Sequence, residues 1–359
     1  MKLVVPAVYE NDFLGAMAGL PITHLYGATG GDAGLRANDS LPHLSDDALA
    51  DYVADARAAG IGFFYCLNVA CLGNREFTAE GQRWLVERLG WIQDVGCAGV
   101  CLSNPYLIAF SKRRFPKLEI AVSAATAADS VDKIAYFEAD GADVIYLPEY
   151  VNRDFPLLRH LARRSRARLV ALANTGCMIN CPIRVYHTQI TSHAKASLEL
   201  GAYVDYPLLW CSHEKARDPG QMLKSPWIRP EDLSVYEELG IHEFKLAGRE
   251  MDRSWNERVI RAYAARRYDG ELNDLILGFD QLEPFGRMPG RIPNRALDGF
   301  VDFFQKKHDC RVGCRDCHYC DDWAKDAIRS DPDEAGFVRR IGGALDRFET
   351  GSFRTLDER

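Results

Sequence analysis

Apolar residues recur along the chain in short, nearly unbroken runs, each followed by a stretch with helical spacing. The runs are LVVPAV (3–8), ITHLYGA (22–28), IGFFYCLN (61–68), AGVCLS (98–103), EIAVSAA (119–125), DVIYLPE (143–149), RLVALAN (168–174) and HEFKLAG (242–248). A strand with one wet face alternates apolar and polar residues. A continuous apolar run marks a strand buried on both faces, as in a parallel sheet covered by helices. The helices between the runs have readable ends. Ser45 and Thr78 stand where N-caps are needed, and Asp46 and Asp47 follow Ser45 into the first turn. Gly60, Gly96, Gly141 and Gly240 stand where helices must stop, and Pro230 sits near a helix start.

Eight strands alternating with helices predict an α/β fold, a (β/α)8 TIM-like barrel with a C-terminal cysteine-rich extension. A doubly wound open sheet is the alternative, but no G-x-G-x-x-G turn follows the first strand. The barrel is expected over residues 1–272, and a linker and cysteine-rich extension over 273–359. The spacing is regular except between strands seven and eight, where residues 175–241 form an insertion far longer than an ordinary βα connection. In such barrels, residues just past the C-terminal strand ends face the active site. Here those include Gly30, Asp32, Asn68, Cys71, Ser103, Asn104, Glu149, Asn152, Arg153, Asp154, Asn174, Cys177, Cys181, Arg249 and Glu250, with Lys245 inside strand eight.

The formal charge of −7 gives no global basic field to draw the chain to nucleic acid or an anionic membrane. The basic clusters at 111–115 and 163–168 read as solvated helix faces. The apolar run at the N-terminus is too short for an export signal or a membrane span, so a cytoplasmic protein with reduced thiols is expected. Eleven cysteines in that setting point to metal or redox use.

The cysteines fall into three sets. Cys66, Cys97 and Cys101 lie among apolar neighbours in or beside strands and read as small core residues. Cys71, Cys177, Cys181 and Cys211 lie in rim loops after strands three and seven, where four thiolates can meet over the barrel mouth and hold a [4Fe–4S] cluster or a zinc ion. Cys310, Cys314, Cys317 and Cys320 form a compact C-x3-C-x2-C-x2-C run in the tail, read as a second metal site for a [4Fe–4S] cluster or zinc. Its first three cysteines have the spacing of a radical S-adenosylmethionine loop. Such a loop follows the first barrel strand and leaves one iron open, whereas here a fourth cysteine can close the site.

The run NTGCMINCPIRVYHTQITSHA from Asn174 resembles the iron–sulfur motif of the collagenase-like peptidase superfamily (peptidase family U-thirty-two). Downstream, Ser225-Pro226, Glu231-Asp232-Leu233, Lys245 to Arg249 and Arg261-Ala262-Tyr263 resemble its second hallmark. The lead-in ALANTGC and the short Cys177-x3-Cys181 spacing mark a divergent branch. The resemblance implies a barrel and a rim [4Fe–4S] cluster bound by Cys177, Cys181 and Cys211, with Cys71 matching an early-loop cysteine of one branch. Better-understood branches hydroxylate without O2, on ubiquinone precursors or RNA bases; others are described as collagenase-like proteases.

On that footing the expected activity is that of an iron–sulfur oxidoreductase, an O2-independent hydroxylase of an organic substrate. A metal-dependent peptidase or hydrolase of the collagenase-like type is the alternative, ranked lower because no H-E-x-x-H or G-x-S-x-G is present. An RNA- or peptide-modifying iron–sulfur enzyme is a further alternative. His187 and His193 are candidate proton donors, and Lys245 and Arg249, with Arg184, candidate anion holders. Implied partners are a small-molecule or peptide substrate, an electron donor such as a ferredoxin, and a partner subunit of the same superfamily. Nucleic acid and a membrane span are not expected.

Overall fold

The structure is a computed structural model that describes residues 1–10, 12–29, 34–35, 43–194, 203–279, 281–306, 310 and 313–352. Gly30 and Asp32, proposed above for the rim, lie outside the described residues. Eight parallel strands close a barrel in sequence order: β1 Lys2–Pro6, β2 Ile22–Gly27, β3 Gly62–Leu67, β4 Gly99–Leu102, β5 Glu119–Val122, β6 Val144–Leu147, β7 Arg168–Leu172 and β8 Glu243–Lys245. The circle shuts where β8 pairs with β1, Phe244 opposite Leu3, and with β7, Phe244 opposite Ala171. Each apolar run contains one strand. Strands such as β4 and β6 are buried at every position, as a sheet with a packed bore and a helical coat requires.

The helices are α1 Phe13–Ala16, α2 Asp46–Ala58, α3 Ala79–Asp94, α4 Pro105–Arg114, α5 Val131–Ala139 and α6 Phe155–Arg164. Ser45 accepts from the Ala48 amide to start α2, and Thr78 accepts from the Gly81 amide to start α3. Gly60, Gly96, Gly141 and Gly240 hold positive φ of 75°, 86°, 97° and 98°, the left-handed turn that ends a helix without a Cβ clash.

The insertion after β7 carries α7 Arg184–Ser192, α8 Tyr206–Arg217, α9 Gly220–Lys224 and α10 Leu233–Glu238, and α11 Arg253–Ala265 follows β8. Beyond it come a small antiparallel ribbon, β9 Gln281–Leu282 with β10 Gly286–Arg287, and α12 Asp302–Lys306, α13 Tyr319–Ala327 and α14 Glu334–Glu349. The tail folds back over the insertion: α14 packs along α8 and α13 along α9. One continuous apolar core joins the two regions, running from Leu3 and Phe244 in the barrel to Phe300, Phe337 and Ile341 in the tail. No described helix is long and apolar enough to cross a membrane.

Candidate functional site

The floor of the barrel mouth is made by three strands that are remote in sequence. Lys245 ends β8, and its ammonium lies over the rings of Tyr26 on β2 and Tyr146 on β6, 3.9 and 4.0 Å from their centroids. Lys245 is half-buried, so each of these cation–π pairs contributes on the order of 1 kcal/mol. The Tyr26 hydroxyl donates to the Leu246 carbonyl at 2.8 Å, fixing its ring. The Tyr146 hydroxyl is buried without a hydrogen-bond partner, and burial drives its pKa far above the ordinary phenol value. Arg249 follows one short turn later. Its guanidinium is 5.8 Å from the Tyr26 ring, and Nη1 is buried with no acceptor. Buried donors are normally satisfied, so an unfilled one at a barrel mouth is a place for a ligand oxygen. Tyr9, just past β1, crosses above Gly27, where a Cβ would lie 2.1 Å from its hydroxyl oxygen.

Cys66, Cys97 and Cys101 are buried, as their apolar surroundings predict. Cys66 and Cys101 are register partners on β3 and β4, and the hydrogen bond between them, with burial, holds the Cys101 thiol well above its usual range.

The rim is built by the insertion. Glu149, at 2 % exposure, emerges after β6 and receives both terminal nitrogens of Arg184, the first residue of α7, with Nη2 to Oε2 at 3.2 Å. Arg184 also stacks on Tyr150, 4.8 Å from its centroid. Cys177 keeps an exposed face, yet the protein packed against its other side, with the Glu149 charge, raises its pKa. Burial raises Cys181 as well. Both thiols feel the charge of Cys211. Cys211 sits on α8, where Lys215 donates to its sulfur at 3.8 Å. Cys71 lies on the loop after β3; its sulfur accepts from the Gly73 amide at 3.3 Å, and the Ala70 amide ties that loop to Ser192 of α7 at 2.9 Å.

The rim thus gathers Cys177, Cys181 and Cys211 with Glu149, Arg184 and Lys215. Soft sulfur donors of this kind suit zinc or an iron–sulfur cluster. As placed, however, no group of three or more His, Cys, Asp or Glu side chains among the described residues is arranged to hold a metal ion. The rim donors do not close round such a group.

His187 faces Asp205, the N-cap of α8, with Nε2 3.2 Å from the carboxylate. His193 is exposed at the C-terminal end of α7. Several rim polar residues serve the scaffold. Asn174 bonds both ways with Ala247, Asn152 bridges the carbonyls of Leu172 and Pro226, and Asn104 and Asp154 cap α4 and α6. Arg153 turns away from the mouth into the tail. Tyr9, Tyr26 and Tyr146 were missed from sequence; only a hydroxyl-bearing ring inside or just beyond an otherwise apolar strand could have flagged them.

A closed (β/α)8 barrel with cationic side chains at its C-terminal mouth is the class that fold and site define. An uncharacterized protease of Methanocaldococcus jannaschii is 31 % identical over 294 residues, spanning 82 % of this chain and 85 % of that one. The solved U32 peptidase Mk0906 superposes with a TM-score of 0.51 at 18 % identity, covering 69 % of this chain and 93 % of that one, a likeness of fold. No family model matches. The chain belongs to the collagenase-like, U32, peptidase superfamily. These kinships correct the expected activity. The sequence reading set an iron–sulfur oxidoreductase above a peptidase, and both relatives carry the protease or peptidase name. That ranking rested on the iron–sulfur resemblance and on the lack of H-E-x-x-H and G-x-S-x-G, and neither says which reaction follows.

Proposed function

We propose that the chain is a peptide hydrolase of the collagenase-like type, acting at the C-terminal mouth of the barrel. The observation that carries the reading is its kinship with the Methanocaldococcus protease across most of both chains. The mouth supplies compatible chemistry. In peptide hydrolysis, water adds to the carbonyl carbon, negative charge gathers on the carbonyl oxygen, and the C–N bond then breaks as the amine takes a proton. Donors aimed at that oxygen before the reaction begins lower the barrier most, because they need not reorganise. Arg249 brings a buried N–H with no other acceptor, and Lys245 brings a positive charge held between two rings. The Glu149–Arg184 pair ties α7 to the segment after β6 and fixes that part of the rim.

The test is a defined peptide library incubated with the full chain and no reductant, new termini being read by mass spectrometry. Wild type should cut. Arg249→Met should lose on the order of 100-fold in kcat, the usual effect of removing one oxyanion donor, with KM changed less. Absence of new termini, a strict need for a reductant, or full activity in Arg249→Met would overturn the reading.

A further inference from the structure

The tail cysteines take no part in the chemistry at the mouth, yet the fold gathers them. Cys314–Asp316 is a 3-10 turn, and the Cys317 amide donates to the Cys314 carbonyl at 3.3 Å. Residues three apart in such a turn fall on one side. Cys320 lies in the first turn of α13, three residues beyond Cys317. Cys310 and Cys320 rest against the apolar core, and all four side chains are partly buried.

The second observation is a buried cation beside them. Arg153 is 2 % exposed. It donates to the carbonyls of Leu223 at 2.5 Å and Ser225 at 2.7 Å, and Nη1 reaches the Cys320 sulfur at 3.8 Å. Trp227, Phe300 and Phe304 surround it, 5.0, 5.0 and 4.6 Å from their centroids. Among the described residues its hydrogen bonds go to carbonyls and sulfur, with no carboxylate in ion-pair contact. Lys224 of α9 adds a second cation, paired with Asp321 at 2.6 Å and within reach of the Cys314 charge. A buried guanidinium is costly, and although its charge reaches Asp232, the anionic sulfurs of a bound cluster would give it a counter-charge in direct contact. The contact is close: a Cβ at Gly220 of α9 would lie 2.4 Å from an Asp321 oxygen of α13.

We propose that Cys310, Cys314, Cys317 and Cys320 bind an iron–sulfur cluster, balanced by Arg153 and Lys224, that staples the tail to the α8–α9 segment of the rim. Four cysteines in one short loop match the compact cluster-binding run, whereas structural zinc sites pair two separated knuckles. The sulfurs are gathered without being closed on one point, so binding must draw them inward and release their protons.

The experiment measures iron, acid-labile sulfide and zinc on anaerobically purified full chain, wild type against Cys314→Ser/Cys317→Ser and Cys177→Ser/Cys181→Ser. Wild type should show a broad band near 400 nm, and the tail substitution should remove about four irons and four sulfides per chain, while the rim substitution leaves them. Should the tail variant fail to fold, as judged by circular dichroism, wild type alone decides. Alkylation of the native protein before and after the cluster is stripped with chelator and oxidant, mapped by peptide mass spectrometry, should show the four tail cysteines protected only beforehand. Zinc in place of iron, iron unchanged by the tail substitution, or equal alkylation in both states overturns the proposal.

Discussion

Replacing Arg229 by Met tests whether a buried ion pair locks the rim insertion to the segment after the barrel. Arg229 and Asp232 are 2 % and 8 % exposed and meet through two parallel bonds, Nε to Oδ2 and Nη2 to Oδ1, both 3.0 Å. Nη1 also donates to the Asn294 carbonyl at 2.8 Å and reaches Asp298 at 3.1 Å. Breaking a buried pair from one side costs about 3–5 kcal/mol, because the remaining charge is stranded. The bond to Asn294 adds about 1.5 kcal/mol. Asp298, at 71 % side-chain exposure, adds little. A loss of about 4.5–6.5 kcal/mol is a large share of the ~5–15 kcal/mol that holds a folded protein.

The sign of its pH dependence follows from Asp232. Burial already raises the Asp232 pKa despite Arg229, and removing Arg229 raises it further. A carboxyl with a raised folded pKa costs nothing while protonated in both states and destabilises as pH rises through the folded pKa. The deficit of Arg229→Met should therefore be larger at pH 8 than at pH 5. Urea unfolding of wild type, Arg229→Met and Arg229→Met/Asp232→Leu at both pH values is the assay, and the double variant should recover much of the loss. A deficit under about 1 kcal/mol at pH 8, or a double variant no better than the single, would refute the reasoning.

Gly27→Ala forces a Cβ against Tyr9, whose hydroxyl oxygen would lie 2.1 Å away; it should cost about 1–3 kcal/mol by thermal unfolding, and adding Tyr9→Phe should return part of it. Glu237 is held down to about 2 from 4.5, chiefly by its bonds to Arg266, so the stability it contributes is present above pH 4.5 and lost as pH falls toward 2. Glu237→Gln should flatten that limb of an acid unfolding curve, and an unchanged limb would show that the pair contributes nothing.

The barrel was legible because its signals are local. Eight apolar runs, hydroxyl caps at Ser45 and Thr78 and left-handed glycines at Gly60 and Gly96 each declare themselves within one element. The mouth was less legible because barrel closure makes it. Lys245 could be named from its strand end, but its setting between Tyr26 and Tyr146 exists only once β2, β6 and β8 are wound into one circle. Residue type also misleads at strand ends: Asn152 and Asn174 look like site residues and are used to tie loops together. Arg153 shows the same limit from the other side, since a rim arginine gives no local sign that it faces a tail more than 160 residues away.

The long insertion and the tail act as one assembly, and this bears on how the mouth is held. α7 enters the site through Arg184, α8 carries Cys211 and Lys215, and α9 ends at Lys224. Each of the last two is covered by a tail helix, α14 on α8 and α13 on α9. The insertion is far longer than a loop that orders itself, and apolar burial against the tail offsets part of the entropy of holding it. Changes at the tail cysteines or at Arg153 should therefore reach the mouth through α8 and α9. A loss of turnover in those variants, with Lys245 and Arg249 intact, would reflect a loosened rim more than a missing catalytic group.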